Sequence, residues 1–240
     1  MKQYFLPPVL ESNAKKGYLV PSEEVILATI VTYCVKLVRF RGVLFRKPVE
    51  KLESFMNIYY PIDVKCINSK CMALDPVRNK LILDHGIIGS IAFMLQHPSP
   101  KPLIEPYISL NAPDSTYSLD MFIEEYSIPF LKTGSGRYYV GFNTFLIRNH
   151  GKHRVVIEPP IYYMAEYPFT KETIRVYNPL RKLIELKSIG ERDLMDKLLE
   201  YRVFLTNPYI KKKIENGLKT LFDKKVITAG DSLLAISIIN

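Results

Sequence analysis

Residues 132–163 read KTGSGRYYVGFNTFLIRNHGKHRVVIEPPIYY. Gly134-Ser135-Gly136 leads into Arg137 and an aromatic pair, Tyr138 and Tyr139, and a strand-like run follows. A tip comes next, Asn149-His150-Gly151-Lys152-His153-Arg154, and then a second run, Val155 to Glu158. Asn-His-Gly-Lys between two apolar runs is turn chemistry, since glycine takes a positive φ without steric cost. The stretch predicts a β-hairpin with the densest chemistry of the chain at and around its tip.

Upstream, residues 1–21 hold Pro7, Pro8, Gly17 and Pro21 and read as an irregular or edge-strand start. Ser22 is a helix N-cap with Glu23 and Glu24 in the first turn, where the helix dipole favours acids. A helix is expected from there to about Val35, against the strand preference of its β-branched residues. Leu37–Lys47 alternates as a strand with Arg39 and Arg41 on one face. Pro48 opens a short amphipathic helix, Val49–Met56, and Asn57–Ile67 is the next strand. Cys66–Asp84 reads as a meander, turning at Asn68-Ser69-Lys70 and at Pro76-Val77-Arg78-Asn79. Gly86–Gln96 is an apolar helix. Residues 98–118 carry five prolines and read as a loop. A short helix, Leu119–Tyr126, precedes the hairpin.

Beyond Thr170 the pattern is helical. Pro179–Lys187 and Glu191–Leu205 are helix candidates. Asn207-Pro208 caps a third, Pro208–Lys224, with Ile210, Ile214, Leu218, Leu221 and Phe222 on one face. The last two form a helical hairpin, and Leu233–Ile239 is apolar and buried. The whole predicts an α+β fold, with a mixed, largely antiparallel sheet core and a helical C-terminal subdomain. The division expected is a core domain over 1–168, with the loop 98–118 inside it, and the helical subdomain over 169–240.

At 48% hydrophobic residues, the 240-residue chain has the composition of a folded domain with a core. Its longest apolar run, Val25–Val35, is well short of the roughly 20 residues that a membrane helix needs. No export signal is evident, which makes the cytoplasm the default, and no membrane role is expected. The net charge is +9 and uneven. Residues 57–131 hold 8 acids against 5 bases, while both flanks are net basic. A basic surface attracts phosphate-bearing or acidic partners, or simply keeps a protein soluble.

The tip carries Arg148, His150, Lys152, His153 and Arg154 within seven residues, more cations than a turn requires. They suit phosphate contact, and the two histidines suit acid–base chemistry. Arg39, Arg41, Arg137, Lys211 and Lys212 extend the candidate nucleic-acid-binding set, with Tyr138 as a stacking residue. Lys213, Lys219, Lys224 and Lys225 would broaden the patch. Neither G-x-x-x-x-G-K-[ST] nor G-x-G-x-x-G occurs, so no nucleotide cofactor is predicted. Cys66 and Cys71 are cross-strand neighbours, open to a thiol pair, a disulfide or, with His85 and His97, a zinc site. Asp63, Asp75 and Asp84 are the candidate ligands for a catalytic divalent metal.

The expectation is a non-catalytic binding or assembly subunit that contacts nucleic acid or another acidic partner. The alternatives are an enzyme acting on nucleic-acid phosphates, through His150/His153 or a metal at Asp75/Asp84, and a structural protein whose helical hairpin docks on a protein partner or a second copy.

Overall fold

The computed structural model describes residues 3–6, 9–11, 22–42, 46–67, 70–96, 108–109, 135–163, 174–176, 178–184, 190, 192, 194, 196 and 203–240. Its strands are β1 (Gln3–Leu6), β2 (Val9–Glu11), β3 (Phe40–Arg41), β4 (Lys47–Pro48), β5 (Lys51–Ile67), β6 (Lys70–Asp75), β7 (Lys80–Leu81), β8 (Ile108–Ser109), β9 (Gly136–Asn149), β10 (Lys152–Glu158), β11 (Ile161–Tyr163), β12 (Ile174–Val176) and β13 (Val203–Phe204). Among the described residues, helices α1 (Glu23–Cys34), α2 (His85–Gln96), α3 (Pro208–Asp223) and α4 (Ala229–Ile239), and a 3₁₀ helix, Asn178–Leu183, accompany them. This is an α+β fold with C-terminal helices.

The centre is one long antiparallel ladder. β5 has 17 residues and β9 has 14, and they pair from Lys51↔Arg148 to Val64↔Gly136 with a bulge at Glu53. Along its other edge β9 takes β10 antiparallel and β1 parallel. The other edge of β5 takes β13 and β6 antiparallel and β8 parallel. Proline in a central strand is unusual because it cannot donate to the ladder. Pro61 is tolerated because it falls between the β8 pairing at Ile58–Tyr59 and the β6 pairing that starts at Asp63.

Two apolar clusters lie on opposite faces of this ladder. Paired residues share a face and neighbours alternate. Leu52, Phe55, Phe145 and Ile147 pack against α1, α3 and α4. Tyr60, Ile62, Val64, Tyr138, Val140 and Phe142 pack against α2 and the 3₁₀ helix. A third cluster, Met56, Ile58, Leu146, Val155 and Leu194, continues the second face toward the Lys51 end, so the middle of the ladder is covered on both sides.

α1 forms despite its β-branched residues. The Ser22 hydroxyl accepts the Val25 N–H at 3.3 Å, and nine of the helix's twelve residues are buried. Burial at roughly 25 cal/mol per Å² outweighs propensity costs of a few tenths of a kcal/mol per residue. α1 and α3 cross at Gly217, where an added Cβ would lie 2.0 Å from the Glu24 carbonyl oxygen and 2.8 Å from Ala28 Cβ. α3 closes at Lys225 (φ 59), whose N–H donates to Phe222 O at 2.8 Å while that of Val226 donates to Leu221 O at 2.9 Å. This double bond is a Schellman closure with lysine where glycine is usual.

Several local readings are corrected. Val49–Met56 is not a helix. From Lys51 onward it belongs to β5, because eight residues of helical pattern cannot outweigh the ladder that β9 provides. Pro48 ends β4 opposite Phe40 instead of opening a helix. Leu37–Lys47 is not one strand: turns follow α1, and β3 and β4, two residues each, then pair antiparallel. The helix expected to run to Leu205 does not reach it, since Val203 and Phe204 pair with β5. The helical hairpin is α3 with α4, joined through Lys224–Thr228. The Pro179–Lys187 helix is a 3₁₀ turn over Asn178–Leu183. The helix Leu119–Tyr126 and the proline-rich loop, Ile108–Ser109 apart, lie outside the described residues.

Candidate functional site

The β9–β10 hairpin closes with a two-residue turn in which both central residues have positive φ, His150 at 46° and Gly151 at 79°. Such turns match the twist of the flanking strands, and histidine is among the residues that tolerate this region. The turn puts Arg148 opposite His153 on β10 and opposite Lys51 on β5. Arg148, His150, Lys152 and His153 are exposed.

The second basic segment, Arg39–Lys51, is brought to this tip by one buried carboxylate. Glu50 is 1% exposed. Arg154 grips it with both guanidinium arms, Nε to Oε1 at 3.2 Å and Nη2 to Oε2 at 2.8 Å, and Nη2 also donates to the Leu37 carbonyl at 2.6 Å. The Arg39 N–H donates to Glu50 Oε2 at 3.0 Å. Burial alone would raise the Glu50 carboxyl's pKa. The Arg154 guanidinium and the Arg39 N–H overcome that and hold it below the ordinary glutamate value. The carboxylate therefore stays charged and ties β10, the segment after α1 and the start of β5 together.

What it gathers is a group of like charges. Arg41 pairs with Lys47 across β3–β4, and Lys51 pairs with Arg148 across β5–β9. Among the described residues no carboxylate makes an ion pair with Arg41, Lys47, Arg148 or Lys152. Lys51 Nζ donates to the Asn240 backbone oxygen at 2.7 Å, and Lys211 Nζ to the Asn240 side-chain oxygen at 2.7 Å, so α3 adds a further cation to the same end. Arg39 keeps a side chain that is 75% exposed, with Nε 3.7 Å from Glu50. His153 is engaged differently, its Nε2 lying 2.7 Å from Glu53 Oε2 at the bulge.

Comparison with known proteins returns no match. No family model, curated protein or solved structure resembles the chain.

Two of the expected site residues lie elsewhere. Arg137 sits at the far end of β9 in a bidentate pair with Asp63, at 2.5 and 2.7 Å. Tyr138 is wholly buried in the α2 cluster, so its ring is closed to a base. Lys212 is exposed on α3, whereas Lys213 reaches Glu23 at 2.5 Å and lies 4.6 Å above the Tyr209 ring.

The candidate metal ligands are each taken up separately. Asp63 holds Arg137. Asp75, 3% exposed, accepts the Tyr60 hydroxyl and the N–H groups of Val77 and Arg78. Asp84 caps α2 through Gly86 and Ile87 and pairs with Lys182 at 2.5 Å, which holds its carboxyl below the ordinary aspartate value. No three His, Cys, Asp or Glu converge among the described residues. Cys66 is disulfide-bonded, which takes its sulfur out of any zinc site, and it stands opposite Cys71 in the ladder. His97 lies outside the described residues.

One buried polar group had no sequence signal. Glu158, 2% exposed, accepts the Tyr33 hydroxyl at 2.6 Å and Arg181 Nη2 at 2.7 Å. Burial, then the Glu158 hydrogen bond, pushes the Tyr33 phenol's pKa well up. Lys47, Lys51 and Glu50 were also missed, because reading 49–56 as a helix hid the ladder that places them. A signal was present: Glu50 is the only acid between Lys36 and Lys51, among six bases.

Proposed function

We propose that the protein is a binding subunit that engages a polyanion, foremost nucleic acid, through the basic end formed by β3–β4, the start of β5 and the β9–β10 turn. One observation carries the reading. Two like-charge cross-strand pairs, Arg41–Lys47 and Lys51–Arg148, lie on segments that a buried carboxylate, Glu50, ties together through Arg39 and Arg154. Like charges directly opposite on a sheet destabilise it by a few tenths to about 1 kcal/mol each. A solvated surface chosen for solubility would scatter its charges or alternate their sign. Costs of this kind gather where a partner offsets them.

The test reads two quantities with opposite expected signs. Arg148→Glu and Lys47→Glu should each leave the protein as stable or more stable, because each replaces a like-charge pair with an opposite one. Both should weaken binding of a labelled 20-nucleotide probe by at least tenfold in fluorescence anisotropy at low salt. Unchanged affinity in both variants, or no salt-sensitive binding of the parent protein, would sink the reading.

A further inference from the structure

On the premise that the basic end is the binding surface, one row of the sheet adds a regulator to it. Lys51 on β5 stands opposite Arg148 on β9, and Arg148 stands opposite His153 on β10. Directly opposite residues share a face, with Cβ atoms roughly 5 Å apart. The three side chains therefore start from one line across three strands. Arg154, the next residue of β10, pairs with Ile147 and belongs to the other face, where it holds Glu50. Lys51 and Arg148 keep their charge at any ordinary pH, and the row ends in an imidazole.

Histidine is the side chain whose charge ordinarily changes between about pH 5 and 8. At His153 opposed neighbours act on that charge. Glu53 Oε2, at the β5 bulge, lies 2.7 Å from Nε2 and favours the proton. Arg148 and, beyond it, Lys51 disfavour it, as does Lys152 before it on the same strand. Leu194 packs with Val155, the next residue of this face, and its segment carries Arg192 and Asp196, exposed charges of opposite sign. The His153 side chain is 33% exposed and so open to protons from the buffer. A phosphate that settles on Arg148 neutralises the cation opposing the proton and leaves Glu53 in place. Anion and proton therefore assist each other, and linkage makes the effect reciprocal. His150 lacks this setting: it lies in the turn, outside the paired row, and makes no ion pair among the described residues.

We infer that His153 makes the basic end a pH-sensitive anion site, at which a phosphate backbone binds with uptake of a proton. With Nε2–H donated to Glu53, the proton passes from buffer to Nδ1, and no bond of the ligand changes. The protonated form binds tighter, so the gain is full on the acid side of the histidine range and is lost as pH rises through it. A unit charge about 6 Å from an imidazole at a protein surface changes its proton affinity by about tenfold. Anion affinity then changes by up to the same factor. The experiment measures anisotropy of the full chain with a labelled 20-nucleotide oligothymidylate, whose charge is constant between pH 5.5 and 8.0, at fixed low salt. Expected is binding about five- to tenfold tighter at pH 5.5 in the parent, a dependence that His150→Gln keeps whatever it does to affinity. In His153→Gln, whose amide N–H can still serve Glu53, the change should be under about twofold. Calorimetry of the parent near pH 6.5, in two buffers of different ionisation heat, should show proton uptake on binding and needs no variant. A parent whose affinity ignores pH and whose binding takes up no proton, or a His153→Gln that keeps the parent's dependence, would overturn the inference and leave the binding reading standing. Absent or salt-insensitive binding at every pH would overturn both.

Discussion

The two ends of the β5–β9 ladder solve the same problem in opposite ways. At one end Asp63 faces Arg137, and the pair closes into a bidentate bridge with both side chains mostly buried. At the other end, eleven residues along the same β9 strand, Lys51 faces Arg148, and among the described residues no Asp or Glu side chain makes an ion pair with either. Backbone, pairing and sheet are the same. Only the charge choice differs, and it separates an end closed by its own ion pair from an end whose cations, on the proposed function, meet a partner. The basic end does contain an acid, Glu50, but it lies beneath the surface and serves to hold arginines in place rather than to neutralise the exposed cations.

Substitutions can sharpen or break this contrast. The largest effect should come from a packing control at the crossing of α1 and α3. Gly217→Ala forces a methyl into the Glu24 carbonyl at the α1–α3 crossing and should cost about 3 kcal/mol in urea unfolding. An effect under about 1 kcal/mol would mean that the helices do not cross that closely. Next, Asp63→Ala should cost about 2 kcal/mol by stranding a mostly buried guanidinium, with little change in anion binding. If it weakened binding as much as Arg148→Glu does, the two ends would not be functionally distinct.

Glu50→Gln should cost about 1–2 kcal/mol near neutral pH, allowing for Arg154's partial exposure, and should also reduce binding by loosening the β3–β4 segment. Its pH dependence has a definite sign. The folded-state pKa of Glu50 is depressed, so its contribution is present above the ordinary value of 4.5 and is lost as pH falls through the lower folded value. Stability of the parent should therefore fall more steeply with acidification below that value than stability of the variant; parallel curves would remove Glu50 from its anchoring role. The smallest effect is expected from Arg148→Glu, a gain of about 0.5 kcal/mol. A clear loss would show that the like-charge pair is already compensated, and the contrast between the ends would fail.

Much of this was legible along the chain. The α+β class, the 132–163 hairpin, the Ser22 cap of α1, the Asn207-Pro208 start of α3 and the meander after Ile67 all follow from turn, capping and periodicity chemistry that acts over a few residues. The tip cations could be named for the same reason. Segments whose form depends on a distant partner were not legible. Residues 49–56 carry a helical pattern yet become strand because β9 lies alongside them, and Val203–Phe204 become strand because β5 does.

The site divides in the same way. Sequence alone supplied the cations and the overall charge of +9. Tertiary structure sorted them. It sent Arg137 to Asp63, buried Tyr138 in the α2 cluster, closed His153 onto Glu53 and used Arg154 to hold Glu50. It also brought Lys47 and Lys51, which the sequence had not singled out, beside Arg41 and Arg148. The physical reason is that a charge's role depends on what lies within a few ångströms of it. In a sheet whose strands join residues about a hundred positions apart, that neighbourhood is set by register and burial rather than by position along the chain.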